Sequence, residues 1–492
     1  MKFTFKKLGK LDEAEIEVKD LTIVCGENNT GKTYLLYAIY GFWAYLVRSG
    51  IPFLSDGSRE VLKTQKKIVL NIEETFSIEK INDFLGKVAE EYASTQIHRD
   101  FVANPKFFEN LKMNIELSHN DCLQVINDLK LQVKNDLKRK FQSLQSGIES
   151  SNGQVVTFNF AIKDNFLHIT QEESNLDISH IFSILNREIK ESVFQSFYKN
   201  NFFSTSERTG IVIFKEELDF KRRQLLEFAN KAKEVNHMEL FNHFYMDYKD
   251  TYSKPIKDEA EFIRNLLAYA KLKRSKGVKE SEQSLLNMKQ LEDIIGGILE
   301  LSSDGTIYFK PNKNKSLRLT MDHVSSSIRS ILSLYFYIRD QGHKENQLLM
   351  IDEPEMNLHP KNQRAMARFL ATLVNQGIKV MVSTHSDYLV RELNHLTALY
   401  KFKDQDLVKT YIASEDNPYS EEVLISNEKV GLYFTRETGK SVKSVKKVKL
   451  HEAPISQYGS FTVASFDNEI KAQQQAEFDI LEAIHGRNGD ED

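Results

Sequence analysis

The stretch VCGENNTGKTYLLYAIY, at positions 24–40, constrains this chain more than any other. Gly26, Glu27, Asn28, Asn29, Thr30, Gly31, Lys32 and Thr33 fit the spacing G-x-x-x-x-G-K-[ST], between an apolar run and an almost wholly apolar one. That context predicts strand, tight turn, helix. Glycines let the backbone turn so that successive N–H groups face one anion, and the helix N-terminus adds its dipole. In such a loop Lys32 contacts the β- and γ-phosphates of ATP, and the Thr33 hydroxyl ligates Mg2+. The bland alternative is a chance glycine turn, and the flanking strand and helix weigh against it.

A phosphate loop needs a domain around it, and 492 residues suffice for two or three. Sixty-six Lys plus Arg against 70 Asp plus Glu give a net charge of -4, which excludes a globally basic coat for nucleic acid but permits local patches. The 8 prolines and 21 glycines are few, favouring long helices over a loop-rich all-β design. Two cysteines, Cys25 and Cys122, make no disulfide framework and point to the cytoplasm. Cys25 reads as a buried structural thiol. Residues 1–20 lack the apolar core of a signal peptide. The longest apolar stretch, 34–47, is too short to span a bilayer, so no membrane is expected.

A nucleotide hydrolase also needs carboxylates at a second strand tip. LLMIDEPEMNLHP (348–360) supplies an apolar strand ending in Asp352 and Glu353. There Asp352 would hold Mg2+ through water and Glu353 would polarise the attacking water. The alternative is a strand that merely ends in acidic residues. KVMVSTHSDYLV (379–390) is a further apolar strand, closed by Thr384, His385 and Ser386. His385 would register the γ-phosphate; the alternative is a satisfied surface histidine.

Elsewhere the pattern is mainly helical. A turn is expected at Leu8-Gly9-Lys10. Ile126, Leu129, Val133, Leu137, Phe141 and Leu144 form a helical stripe, placing Lys138, Arg139 and Lys140 on the same helix, as a solvated face or a nucleic-acid contact. Between 152 and 170 the period changes to two, with Asp164-Asn165 as a hairpin turn. Helices are expected over 178–199 and 215–300, with 272–284 as an exposed linker. No heptad run is long enough for a coiled-coil arm, so the middle reads as a compact, mostly helical lobe. The HGRNGDED terminus should fray.

The glycine loop, DEPEMNLHP and STHSDYL, in this order, resemble the ABC-type ATPase heads of the SMC, RecF and OLD (overcoming lysogenization defect) proteins. DEPEMNLHP with STHSDYL, and FFSTSERTGI at 202–211, resemble the OLD-like branch most. The resemblance implies an α/β fold: a P-loop ATPase head of mixed sheet and flanking helices, with a large inserted lobe. It divides the chain into core (1–55), helical and β insertion (56–200), core (201–214), helical lobe (215–300), core with signature, acidic strand and switch histidine (301–400), and closing strands and helix (401–492). In such heads a serine-rich signature completes the ATP site of a second subunit. Ser325, Ser326 and Ser327 in DHVSSSIRSILSLYFYIRD stand in that place, with Ser327 where the usual pattern has glycine. The alternative is three serines capping a buried helix. By the same resemblance Arg208 stands where other heads place a Gln facing Mg2+ or water; a structural salt bridge with Glu207 or a neighbour is the alternative.

OLD-like nucleases carry a C-terminal Toprim domain, whose metal site needs a Glu strand and an Asp-x-Asp strand. Here Asp404-Gln405-Asp406, expected in a strand pair after His385, has no such upstream partner and reads as a turn. The tail resembles the ATPase-only members: LYFTRETGKSVKSVKKVKLHE as a hairpin whose lysines mark a half-exposed edge strand, with a phosphate-contacting ribbon as the alternative, then a final helix. The resemblance implies a homodimer, or higher homo-oligomer, of heads sandwiching ATP, working with a separately encoded nuclease or toxin, as in the anti-phage systems Septu and PARIS. A RecF- or SMC-like DNA-binding ATPase of repair or chromosome maintenance is the second reading, favoured by Lys138-Arg139-Lys140 and Lys271-Lys273-Arg274. A metal-dependent nuclease using Asp404 and Asp406 is the third.

Overall fold

A computed structural model describes residues 1–135, 138–142, 155–172, 177–198, 201–214, 252–275, 281–314, 316–341, 348–414, 417–438 and 447–486. Residues 215–251 of the helices expected over 215–300, residues 276–280 of the linker expected over 272–284, Leu137 and Leu144 of the stripe, and the last six residues lie outside them, while both flanks of that linker are helical, in Leu266–Ser275 and Glu282–Ile295. The architecture is α/β. Three strands come from the N-terminus, Lys2–Leu8 (β1), Leu11–Glu17 (β2) and Leu21–Cys25 (β3). The next five are Lys67–Asn71 (β4), Lys112–Glu116 (β5), Lys138–Gln142 (β6), Val155–Lys163 (β7) and Phe166–Gln171 (β8). Phe202–Ser204 (β9), Gly297–Leu301 (β10), Ile307–Pro311 (β11) and Leu319–Thr320 (β12) follow. Leu348–Asp352 (β13), Lys379–Thr384 (β14), Val430–Thr438 (β15) and Lys447–Glu452 (β16) complete the set.

Nine of these make one mixed sheet, in the order β5-β1-β2-β16-β15-β3-β14-β13-β9. Its heart is parallel: β15, β3, β14, β13 and β9 all run the same way. Such strands are buried on both faces and read as continuous apolar runs, and every residue of β3 and β13 is buried. Alternation sends successive side chains to opposite faces. Val24 and Met350 enter the core beneath the helix Lys32–Leu46 and the insertion. Ile23, Cys25, Leu349 and Ile351 enter the core beneath the helices Ser326–Gln341, Pro360–Asn375 and Asp387–Phe402. Cys25 is fully buried, as expected.

The Gly9 turn joins β1 to β2 with Gly9 at φ 57. The Asp164-Asn165 hairpin joins β7 to β8 with Asp164 at φ 53. The helix Ile178–Tyr198 is also present.

Three expectations need correction. The stripe that begins at Ile126 does not continue as one helix: the helix His119–Asn135 ends, and Lys138–Gln142 pairs antiparallel with β7. Lys138, Arg139 and Lys140 therefore lie on the outer strand of a four-stranded sheet, β4-β8-β7-β6. The lysine-bearing β16 is not at an edge. It sits between β15 and β2, and Lys447 and Lys449 face carboxylates of β2 at 3.6 Å (Asp12) and 2.6 Å (Glu13). Finally, the strand pair expected after His385 is helical, Asp387–Phe402 and then Asp406–Ile412, with Asp404 in the turn between them.

Candidate functional site

The register of the parallel strands assembles the site. β14 lies between β3 and β13, with Thr384 opposite Cys25 and Ser383 opposite Asp352. The glycine loop, the acidic tip and the histidine loop therefore all leave the same edge of one sheet, at the carboxyl ends of its strands, where open α/β sheets bind ligands. The regions around Lys32 and Asp352, more than three hundred residues apart in sequence, share one core.

The loop has the shape its glycines permit. Gly26 sits at φ 140, Asn29 at φ 61 and Gly31 at φ 92, and the helix Lys32–Leu46 begins at once. A Cβ on Gly26 would overlap the Thr435 hydroxyl of β15. That hydroxyl also lies 2.7 Å from Thr30 Oγ1, whose own proton goes to the Glu27 carbonyl at 2.8 Å. Thr435 thus buttresses the loop from the C-terminal hairpin. No local sequence signal identifies it.

Lys32 is folded back on the loop, its Nζ donating to the Gly26 and Glu27 carbonyls at 3.1 and 2.7 Å. Burial pulls its amine down to about 8, against the raising effect of Glu353 and Asp352. An incoming phosphate would supply the anion that the buried amine lacks. Thr33 Oγ1 lies 3.0 and 3.2 Å from the two carboxylate oxygens of Asp352, whose Oδ1 also accepts from Ser383 Oγ. A hydroxyl and a carboxylate so close are the hard oxygen set that Mg2+ takes, with water and phosphate oxygens completing its shell. The residues fit the metal.

Glu353 holds φ 52, a left-handed conformation costly for a residue with a Cβ. Its N–H donates to the Ser383 carbonyl and hydroxyl, both at 3.2 Å. Burial, and then the charge of Asp352, push its carboxyl above the usual range. His385 Nε2 is 3.5 Å from Glu353 Oε1. Burial and then Lys32 lower the imidazole, so at neutral pH this contact is not a pair of full charges. Behind them is Glu355, unassigned in the sequence reading. Its Oε1 accepts from Thr384 Oγ1 at 2.8 Å and from the His385 N–H at 2.7 Å, fixing the histidine loop to the acidic strand. The sequence signal was present: a Pro-Glu directly after the acidic pair.

Arg208 is 1% exposed. Its Nε donates to the Ser330 carbonyl, Nη1 to those of Thr205 and Asp352, and Nη2 to that of Glu353, at 2.6–2.7 Å. Its donors therefore go to backbone oxygens, and no ion pair with Glu207 is present among the described residues. The compensating carboxylate is the buried Glu259, which accepts from the Thr205 N–H and hydroxyl at 2.8 and 2.7 Å.

The serines open the helix Ser326–Gln341. Ser325 and Ser326 are exposed, and the Ser325 and Ser327 hydroxyls are 2.7 Å apart. Among the described residues, no hydrogen bond links Ser325, Ser326 or Ser327 to positions 26–33 of the same chain. Asp404 and Asp406 are both exposed. No described helix is long and apolar enough to cross a membrane.

A phosphate loop ending in Lys and Thr, with an acidic strand tip one strand away in the same parallel sheet, defines the class of P-loop ATPase domains. Residues 1–390 match the AAA ATPase domain family, and the chain belongs to it. The chain is 35% identical over 66 residues to the Old nuclease of Escherichia phage P2. That alignment covers 13% of this chain and 11% of the nuclease, so the chain spans about a tenth of that curated relative. Solved structures similar to it include an Smc head bound to the C-winged helix domain of ScpA, with TM-score 0.32, 12% identity, and 92% of this chain and 97% of that chain covered. A Pyrococcus furiosus Smc head with an extended coiled coil, bound to the C-terminal domain of ScpA, gives TM-score 0.32 and 13% identity, covering 97% and 98%. The SMC head domain from Thermotoga maritima gives 0.30 and 10%, covering 92% and 98%.

Proposed function

We propose that this chain hydrolyses ATP at the site just described. The observation that carries the reading is Thr33 Oγ1 at 3.0 Å from the Asp352 carboxylate, across one sheet. Backbone N–H groups of residues 26–33 and the Lys32 amine hold the phosphates. Thr33 and Asp352 hold Mg2+, which when bound offsets charge on the β- and γ-phosphates. Glu353 accepts the proton of a water whose oxygen attacks the γ-phosphorus; the bond to the bridging oxygen breaks, and ADP leaves with that electron pair. Its raised pKa suits a base. His385, whose loop Glu355 fixes through the backbone N–H, donates its single ring N–H to the γ-phosphate.

Two heads close around ATP, each lending Ser325, Ser326 and Ser327 to its partner's nucleotide. The exposure of Ser325 and Ser326, together with the lack, among the described residues, of bonds from the three serines to the loop of their own chain, supports this. Half-site complementation tests it. Lys32→Ala and Ser326→Arg chains should each be inactive alone. Mixed, they form heterodimers with one intact site and regain turnover; a mixture as inactive as its parts contradicts the sandwich. By the OLD-like resemblance of DEPEMNLHP and STHSDYL, the nucleotide-gated dimer serves a separately encoded nuclease or toxin in anti-phage defence. Lys138-Arg139-Lys140, on the outer strand β6, favours the second reading, a DNA-binding head. Duplex binding that weakens steeply with salt would support that reading, and co-purification with an effector would support the first.

A further inference from the structure

The Arg208 guanidinium spans two structures that an ATP sandwich must coordinate. On one side it takes the carbonyls of Asp352 and Glu353, the tip of β13. On the other it takes the Ser330 carbonyl, in the first turns of the helix opened by the serines. The same serine adds a second tie: Ser330 Oγ donates to the Ser327 carbonyl at 2.9 Å and to the Met356 carbonyl, just beyond the tip, at 3.2 Å. Glu353 needs such support, because its backbone is held at φ 52 and such strain persists only where the surroundings over-determine it. A charge buried without a bonded carboxylate is costly, and Glu259, on the helix Lys254–Arg264, offsets it while accepting from Thr205 in the turn before Arg208.

We propose that Arg208 is a positioning residue for hydrolysis: it locks the Glu353 backbone to the serine-opened helix, so that the seating of that helix sets where the Glu353 carboxylate stands. A partner's nucleotide pressing on Ser325, Ser326 and Ser327 is then communicated, through Ser330 and Arg208, to the base of the same head. The base at one ATP site thus answers to the occupancy of the other. This rests on Glu353 being the base, as proposed above.

The test uses the full-length chain and ATP, measuring phosphate release, nucleotide affinity and melting temperature together. Arg208→Lys keeps the charge but presents one nitrogen where the guanidinium presents three. It should lower kcat by about tenfold or more, while the ATP Kd stays within about twofold. Arg208→Gln removes the charge near Glu353 and should also move the acid limb of the pH–rate profile upward, which Arg208→Lys should not. Ser330→Ala leaves the guanidinium in place and cuts the second tie; it should lower kcat in the same direction, and it carries the test if Arg208 variants do not fold. In a Glu353→Gln background, Arg208→Lys should have no further effect on residual turnover. An unchanged kcat in both Arg208→Lys and Ser330→Ala overturns the inference, as does a loss of affinity and melting temperature in step with kcat. Wild-type turnover in Glu353→Gln overturns the base assignment first, and is read independently of Arg208.

Discussion

Gly26→Ala probes the contact between the phosphate loop and the C-terminal hairpin. At φ 140, an alanine there is strained whatever the space, by about 1–3 kcal/mol. Its Cβ would also overlap the Thr435 hydroxyl and lie 3.2 Å from the Thr435 backbone nitrogen and oxygen. Clearing the hydroxyl breaks its 2.7 Å pairing with Thr30, about 1 kcal/mol more. The sum, about 2–4 kcal/mol, is less than the ~5–15 kcal/mol that holds most proteins folded, so the variant should fold with a lower melting temperature and weaker ATP binding. Thr435→Ala alone should cost about 1 kcal/mol. The double variant removes the overlap but not the φ strain. It should therefore be less damaged than the two single losses added together, by about 1 kcal/mol, or about 1 °C of melting temperature for a chain of 492 residues. Thermal melts without nucleotide, paired with ATP titrations, measure both quantities. Strictly additive losses would refute the contact as the cause.

Other perturbations follow from the same geometry. The Lys32 amine, pulled by burial to about 8 from 10.5, is charged below that value and neutral above it; ATP affinity should therefore fall as pH rises through 8, seen by titration between pH 7 and 9. Between pH 8 and 10.5 the unfolded chain holds the proton longer than the folded one, so this group's contribution to stability rises with pH across that range. Asp352→Asn keeps a hydrogen-bonding oxygen near Thr33 but loses the charge, and should raise the Mg2+ needed for half-maximal turnover by about tenfold or more. Glu355→Ala leaves the buried Thr384 hydroxyl and the His385 N–H without their acceptor, and should cost about 2–4 kcal/mol in thermal melts while also lowering turnover.

The site was legible in the sequence wherever its chemistry demands a particular backbone. Gly26, Gly31, Lys32 and Thr33 announce a loop because few other residues could make it, and Asp352, Glu353 and His385 stand at the ends of apolar runs that only a buried parallel sheet explains. What holds these residues in place was not legible. Thr435 is one hydroxyl in a hairpin, and its role exists only because β15 pairs with β3. Arg208 was visible as a candidate, but its acceptors are carbonyls, which carry no side-chain identity for a sequence to display. Glu259 compensates it from fifty residues downstream. The errors have a similar origin. Alternating Lys and Val suits an edge strand equally well as an inner strand whose lysines meet Asp12 and Glu13, and only the pairing decides. Val133 and Phe141 are eight residues apart, a spacing that continues a helix but also permits its end and a new strand.

The most direct measurement is phosphate release from ATP by the purified chain, compared with Glu353→Gln in the same titration that measures nucleotide binding. The account predicts Mg2+-dependent release by the native chain, and an unchanged ATP Kd with release at least ~100-fold slower in the variant. A variant that binds ATP and turns it over within twofold of the native rate would contradict the pairing of these two strand tips as one hydrolytic site.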